Sequence, residues 1–152
     1  MASVYSITTE GEEALAAATA ETLLQLRGHA NTKAKIIEIG VSFDGVSTSE
    51  APVVVRLLRQ TTDGTSTGAT EIAWDPDNPT PLCTGFHSHT STEPTAGDVL
   101  ATWEVHPQGG SLVVQWPLGR EPTLDNATTS RIGLEVNAPA AVNAVAYMVW
   151  EE

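Results

Sequence analysis

The strongest constraint on this chain is its last segment, RIGLEVNAPAAVNAVAYMVWEE, which opens at Arg131. Ile132, Leu134 and Val136 alternate with Gly133, Glu135 and Asn137, and in an extended backbone that period of two sends apolar and polar side chains to opposite faces. Ala138-Pro139 marks a turn. Ala144 to Trp150 is apolar on both faces, so this second strand is expected to be flanked and covered. A chain whose last strand lies inside a sheet is expected to be a finished, compact β domain, and nothing in the segment carries chemistry. Such residues build a scaffold.

The same period recurs upstream. Ile37, Ile39, Val41 and Phe43 are expected to form one face of a strand that ends at Asp44-Gly45. Val53 to Gln60 follows Ala51-Pro52 and closes on TTDGTSTG, a loop by composition. Glu71 to Trp74 reads as a short strand stopped by DPDNPTP, whose prolines exclude a helix or a central strand. Leu82 to Thr90 resumes extended structure. Val99, Ala101, Trp103 and Val105 alternate with Leu100, Thr102, Glu104 and His106, and Pro107 to Gly110 is expected to turn the chain back into Ser111 to Trp116 as a hairpin. Pro117 to Ser130 is irregular. The exception is EEALAAATAETLLQL, residues 12–26, which favours a helix by propensity. Thr19 and Thr22 interrupt that pattern, so Glu21 to Arg27 is assigned to a strand and residues 9–18 are left open. The expected fold is all-β: an antiparallel, jelly-roll-like β-sandwich of about eight or nine strands. It forms one domain over residues 1–152, with residues 1–20 as an N-terminal arm or an extra strand.

A chain of 152 residues buries roughly 70% of the surface its unfolded form exposes, so a core is available without cross-links. The single Cys83 cannot form an intramolecular disulfide. No stretch approaches a membrane span, and MASVYSITTEGEE has neither the basic start nor the apolar core of a secretion signal, so a soluble protein is expected. Nineteen acidic against seven basic residues give a formal charge of -12, which repels phosphate backbones and anionic membranes. Neither nucleic acid nor membrane is an expected partner. Arg27, Lys33, Lys35, Arg56 and Arg59 nevertheless fall in one stretch, either as solvated strand faces or as a local basic patch for an acidic partner.

The sharpest chemical candidate is His87-Ser88-His89 followed by Glu93. Residues two apart on a strand share a face, so two imidazoles and a carboxylate would converge on one metal. The spacing resembles half of a cupin metal motif. The second half fails, because Pro117-Leu118-Gly119 is followed by Pro122 where the ligand belongs. Leu82 and Phe86 share a face with Ser88, which puts Cys83, His87 and His89 on the opposite side, expected to be solvated. His87, His89 and Glu93 are therefore candidates only, and no metal or other cofactor is expected. His106 beside Glu104, and His29 in a loop, bring no constellation with them. No G-x-S-x-G elbow accompanies a nucleophile. Glu93, Asp98 and Glu104 are merely close in sequence, as a glycosidase carboxylate pair need not be. Gly109-Gly110-Ser111 opens no helix and so cradles no phosphate. Of Trp74, Trp103, Trp116 and Trp150, three occupy the apolar register of their strands and read as core rather than as a sugar platform. The sequon Asn126-Ala127-Thr128 means little without a secretory route. No catalytic residue is assigned, and the chain is not expected to be an enzyme.

VSFDG at Val41, VVVRLLRQTTDG at Val53, EPTAGDVLATWEVHPQGG at Glu93, WPLGRE at Trp116 and APAAVNAVAYMVWEE at Ala138 together resemble small β-sandwich proteins of tailed bacteriophages. The likeness, to capsid decoration (cement) proteins of the head, extends from about Thr22 onwards. It implies a structural virion protein, made in the host cytoplasm, that sits on the outer surface of the capsid as a homotrimer and clamps neighbouring subunits of the major capsid protein. The residues expected to face a partner are Tyr147, Val149 and Trp150 of the two-faced strand, with Arg56 and Arg59. Two alternatives stand beside it: a cupin-like metal-binding enzyme or binding module using His87, His89 and Glu93, and a phage tail, baseplate or carbohydrate-binding protein.

Overall fold

The computed structural model of the chain describes residues 2–47 and 50–152. Among these residues there is no helix. Thirteen strands form two antiparallel sheets, which face each other across one shared apolar core as a β-sandwich. Sheet one contains β1 (Val4–Thr8), β2 (Glu13–Leu15), β4 (Ala34–Phe43), β7 (Ile72–Ala73), β10 (Ser111–Gln115), β11 (Thr123–Leu124) and β13 (Val142–Glu151). Its order is β10-β4-β13-β1-β7, with β2 on β13 and β11 on β4. Sheet two contains β3 (Ala20–Arg27), β5 (Val53–Gln60), β6 (Thr67–Gly68), β8 (Thr84–His87), β9 (Ala96–Val105) and β12 (Arg131–Asn137), in the order β6-β8-β3-β12-β5-β9. The count exceeds the eight or nine expected because several of these strands are too short for a period of two to register in the sequence.

The two-faced strand is where the sequence requires it to be. β13 pairs with β4 on one side and with β1 on the other. Ala144, Ala146, Met148 and Trp150 face the core at 0–1% exposure. Trp150 lies against Tyr5 of β1, ring centroids 5.7 Å apart, a contact contributing about 0.5–1.5 kcal/mol beyond the area it buries. Glu152 fastens the end of this pairing. Its backbone exchanges hydrogen bonds with Ser3, and its side chain accepts from the N–H groups of Leu82 and Cys83 and from Trp150 Nε1. Residues 4–8 are thus an integral strand rather than an arm, with Tyr5 and Ile7 in the core.

Two β-bulges correct the expected faces. Between Val149 and Trp150 the partner on β4 jumps from Glu38 to Ile36, so Ile37 is the extra residue. Ile36 and Ala34 point inwards at 0% exposure while Ile37 is only half-buried. A bulge reverses the alternation from that point on. On β12 the partner jumps from Leu24 to Thr22 between Leu134 and Glu135, which brings Leu23 into the core beside Leu24 and Leu26. The helix-favouring segment becomes β2 and β3. Propensity differences of a few tenths of a kcal/mol per residue are outweighed by burial of Leu15, Leu23, Leu24 and Leu26, each contributing roughly 1.5–3 kcal/mol.

The expected hairpin of residues 99–116 is absent. β9 pairs with β5 in sheet two and β10 with β4 in sheet one, so residues 106–110 arch between the sheets. One glycine is fixed by close approach: Gly40 faces Tyr147 across the β4–β13 pair, and a Cβ there would overlap the phenol ring. The ring instead lies over the glycine and its hydroxyl donates to Glu38, the aromatic cover that strand glycines take. Tyr147 is pushed up to about 12 by that hydrogen bond and by burial. Gly40→Ala is expected to lower stability by about 1–3 kcal/mol in urea unfolding, whereas Gly68→Ala, with open space around it, leaves the midpoint unchanged.

Candidate functional site

The register of β8 decides where the histidines point. His87 pairs with Leu24 and Gly85 with Leu26, both core residues, so Cys83, Gly85 and His87 face inwards and Phe86 faces out. The expected solvated face is therefore the buried one: Cys83, His87 and His89 are 2%, 8% and 7% exposed, while Leu82 is 47% exposed. Burial pushes the Cys83 thiol far above its usual range, which removes it as a nucleophile.

His87 and His89 do not share a site in the way that residues two apart on a strand should. Ser88 has φ +49°, the left-handed region, and this ends β8 and breaks the alternation. His87 Nδ1 lies 3.3 Å from Glu13 Oε1, and Nε2 lies 3.8 Å from Glu10 Oε2. Ser88 donates to the same Glu13 oxygen from its backbone N–H at 2.9 Å and from Oγ at 2.7 Å. His89 Nδ1 is bonded instead to the Thr22 carbonyl at 2.8 Å, and Glu93 accepts from the Thr22 N–H at 2.8 Å. The N–H and C=O of one residue, Thr22, thus hold Glu93 and His89, while His87 of β8 meets Glu13 of β2. Among the described residues no group of three His, Cys, Asp or Glu side chains is placed to hold a metal ion.

Serine, histidine and glutamate meeting in this way resemble a nucleophilic relay in composition only. In such a relay the serine and the acid occupy opposite imidazole nitrogens. Here Ser88 Oγ, at 2.8 Å, and Glu13 both approach Nδ1. The arrangement is a clip that fastens β2 to the end of β8. The sequence reading missed Glu13, which lies far from His87 along the chain and has no motif to mark it.

The cations are spread over the sheets rather than gathered. Asp63 accepts from Arg131 Nε and Nη2 and from Arg27 Nη1, and Arg27 also stacks over Phe86 with its guanidinium carbon 4.9 Å from the ring centroid. Arg56 meets Glu135 at 3.5 Å, Lys35 meets Glu151 at 3.5 Å, and Arg59 donates to the Thr123 carbonyl at 3.1 Å. Lys33 is exposed and makes no ion pair among the described residues. His29 and His106 each use Nδ1 to accept a backbone N–H two residues on.

The tryptophans are dispersed as well: Trp150 is core, Trp103 and Trp116 pack partly against it, and Trp74 is 61% exposed. Of the expected partner-facing residues, Val149 and Trp150 are buried inside the chain itself, Tyr147 is half-buried, and Arg56 and Arg59 lie on β5 beside β9.

Among the described residues β6 and β7 are sheet ends of only two residues each, and the two longer end strands form one flank. β9 ends sheet two, β10 ends sheet one, and the arch of residues 106–110 links them. Both offer unpaired backbone N–H and C=O groups. Val99, Leu100 and Val113 are exposed there, against the expectation that the Val99 face would be core. Its cause is the edge position: two shifts in the β5–β9 register peel the start of β9 away from the inner face.

No family model, no curated protein and no solved structure matches the chain.

Hydrogen bonds from Arg131 hold the Asp63 carboxyl below its ordinary range, with the charges of Arg131 and Arg27 adding to the effect. A depressed carboxyl contributes stability that is complete above its unfolded pKa and is lost as pH falls through the folded one. Asp63→Asn is expected to lower the thermal midpoint at neutral pH, and the deficit should shrink as pH drops below about 4. Equilibration with zinc, followed by dialysis and metal analysis, is expected to leave no stoichiometric metal; one equivalent that disappears in His87→Ala would reinstate the cupin-like reading.

Proposed function

We propose that this protein is a structural, non-catalytic component of a tailed-bacteriophage virion. It attaches to the outer surface of the capsid and cements contacts between major capsid protein subunits, docking as a homotrimer. The observation that carries the reading is the open flank of β9 and β10. Sheet edges are commonly blunted with lysine, proline or a covering loop; neither AGDVLATWEV nor SLVVQ contains a lysine, arginine or proline, and the charges on this edge are Asp98 and Glu104 of β9. Val99 at 52% and Val113 at 61% exposure give that edge apolar anchors for a partner.

The remaining features agree with this role. Ser88, His87 Nδ1 and Glu13 hold one another and Cys83 is buried, so these side chains maintain the fold. A formal charge of -12 suits the outside of a shell whose interior holds packaged DNA. Contacts of roughly 800 Å² per partner, repeated over a shell, add up to a large collective stabilisation.

Heads assembled without the protein are expected to form but to rupture at lower temperature or force, and adding the protein back restores them. The double variant Val99→Lys with Val113→Lys, at exposed positions where substitutions usually change stability by within about 0.5 kcal/mol, is expected to fold and fail to coat the heads. Depleted heads as robust as complete ones would end the cementing role.

A further inference from the structure

β9 ends sheet two and pairs with β5 alone, and its two halves differ. Both register shifts of the β5–β9 pair fall between Ala96 and Ala101, whereas Ala101 to Val105 run in unbroken register against Leu57 to Val53. Bulges hinder the addition of a further strand, so the first half is guarded and the second is not. In an antiparallel ladder alternate residues turn their N–H and C=O to one neighbour, and the residues between turn theirs to the other. With β5 on one side only, every second residue of the regular half directs a donor and an acceptor at the free edge.

The side chains of this half define what a further strand must carry. Trp103 and Val105 lie opposite Val55 and Val53, both core residues, and Trp103 packs only partly against the core. An apolar residue on the inner face of an added strand would cover the rest of the indole. Thr102 and Glu104 alternate with them on the outer face and are exposed. Among the described residues Glu104 makes no ion pair. Arg56, opposite Thr102, is turned to Glu135 of β12 at 3.5 Å, one strand further from the edge. β9 carries Asp98 and Glu104 and no lysine or arginine, so an incoming strand meets uncompensated negative charge. Opposite charges across neighbouring strands attract and like charges destabilise the pair. A second copy of this chain would bring the same carboxylates and a formal charge of -12, a repulsive encounter.

We propose that the regular half of β9 receives an extended, basic segment of a partner protein as an added strand, with arginine or lysine on its outer face at Glu104 and an apolar residue on its inner face at Trp103. Main-chain hydrogen bonds supply affinity in such pairings, and alternate side chains supply selection. The added strand rests on the docking role proposed above for the β9–β10 flank, and it specifies the backbone pairing and the charge of what docks there.

Calorimetry and residue-resolved amide exchange of the full chain, with a short acetylated peptide of alternating valine and arginine as the probe, test it. Saturable one-to-one binding is expected, with slower exchange at alternate amides of Ala101 to Val105 and unchanged exchange on β10. Glu104→Lys should weaken binding at least tenfold, whereas Glu12→Lys, the same change of charge at an exposed residue away from β9, should not. The same peptide with its backbone nitrogens methylated keeps its charge, cannot pair, and should not bind. No saturable binding, equal binding of the methylated peptide or of a valine–glutamate peptide, or indifference to Glu104→Lys would overturn the proposal. So would protection of β9 that grows with protein concentration in the absence of peptide, the mark of a β9-to-β9 dimer. Heads coated as well by Glu104→Lys as by the unaltered chain would overturn the basic strand and leave the cementing role standing. Depleted heads as robust as complete ones would end the cementing role alone, and pairing of the peptide with β9 would still support the added strand.

Discussion

β13 is hydrogen-bonded along both edges, to β4 and to β1, and the rest of the fold depends on that double pairing. It joins the first strand of the chain to the last and inserts both into the centre of sheet one. Such contacts close very long loops, whose entropy grows slowly with length but must be lost before any contact offsets it. Trp150, Tyr5 and Met148, all at 0–1% exposure, supply the burial that does so. Glu152 carries the effect further by binding the N–H groups of Leu82 and Cys83, which sets the start of β8 and hence the direction in which Gly85 and His87 face.

The outer side of sheet two is closed by polar rather than apolar means. Gln25, at 0% exposure, donates to Gln60 Oε1 and to the Thr62 carbonyl, and Gln60 donates in turn to Thr22 Oγ1. Gly133 makes this possible, because a Cβ there would occupy the space of the Gln60 amide. Buried networks of this kind are favourable when satisfied and costly when not, and only Gln25 Oε1 within this one is left without a partner. The closed face contrasts with the bare flank of β9 and β10.

Much of this was legible in the sequence. The all-β class, the bounds of β5 and the flanked position of β13 follow from a period of two and from turn residues. What failed did so for identifiable reasons. Ile37 was assigned to the core because a bulge inserts one residue without any mark in the composition. The hairpin of residues 99–116 was expected because a turn signal does not say whether the chain returns to the same sheet or crosses to the other. His87 faces inwards, opposite to what an inward-pointing Leu82 implies, because Leu24 across the ladder sets the register. His87 and His89 were paired because nothing in HSH reveals a left-handed serine.

Stability is concentrated in β13 and its two partners, while the β9–β10 flank opens locally. Native-state hydrogen exchange resolved by residue tests this directly. Amides of Ala146, Met148 and Trp150 are expected to exchange only through global unfolding, with opening free energies equal to that from urea denaturation. Those on the free edge of β9 should exchange by local opening many times faster. Protection of β9 equal to that of β13, or exchange of β13 through local opening, would contradict the account.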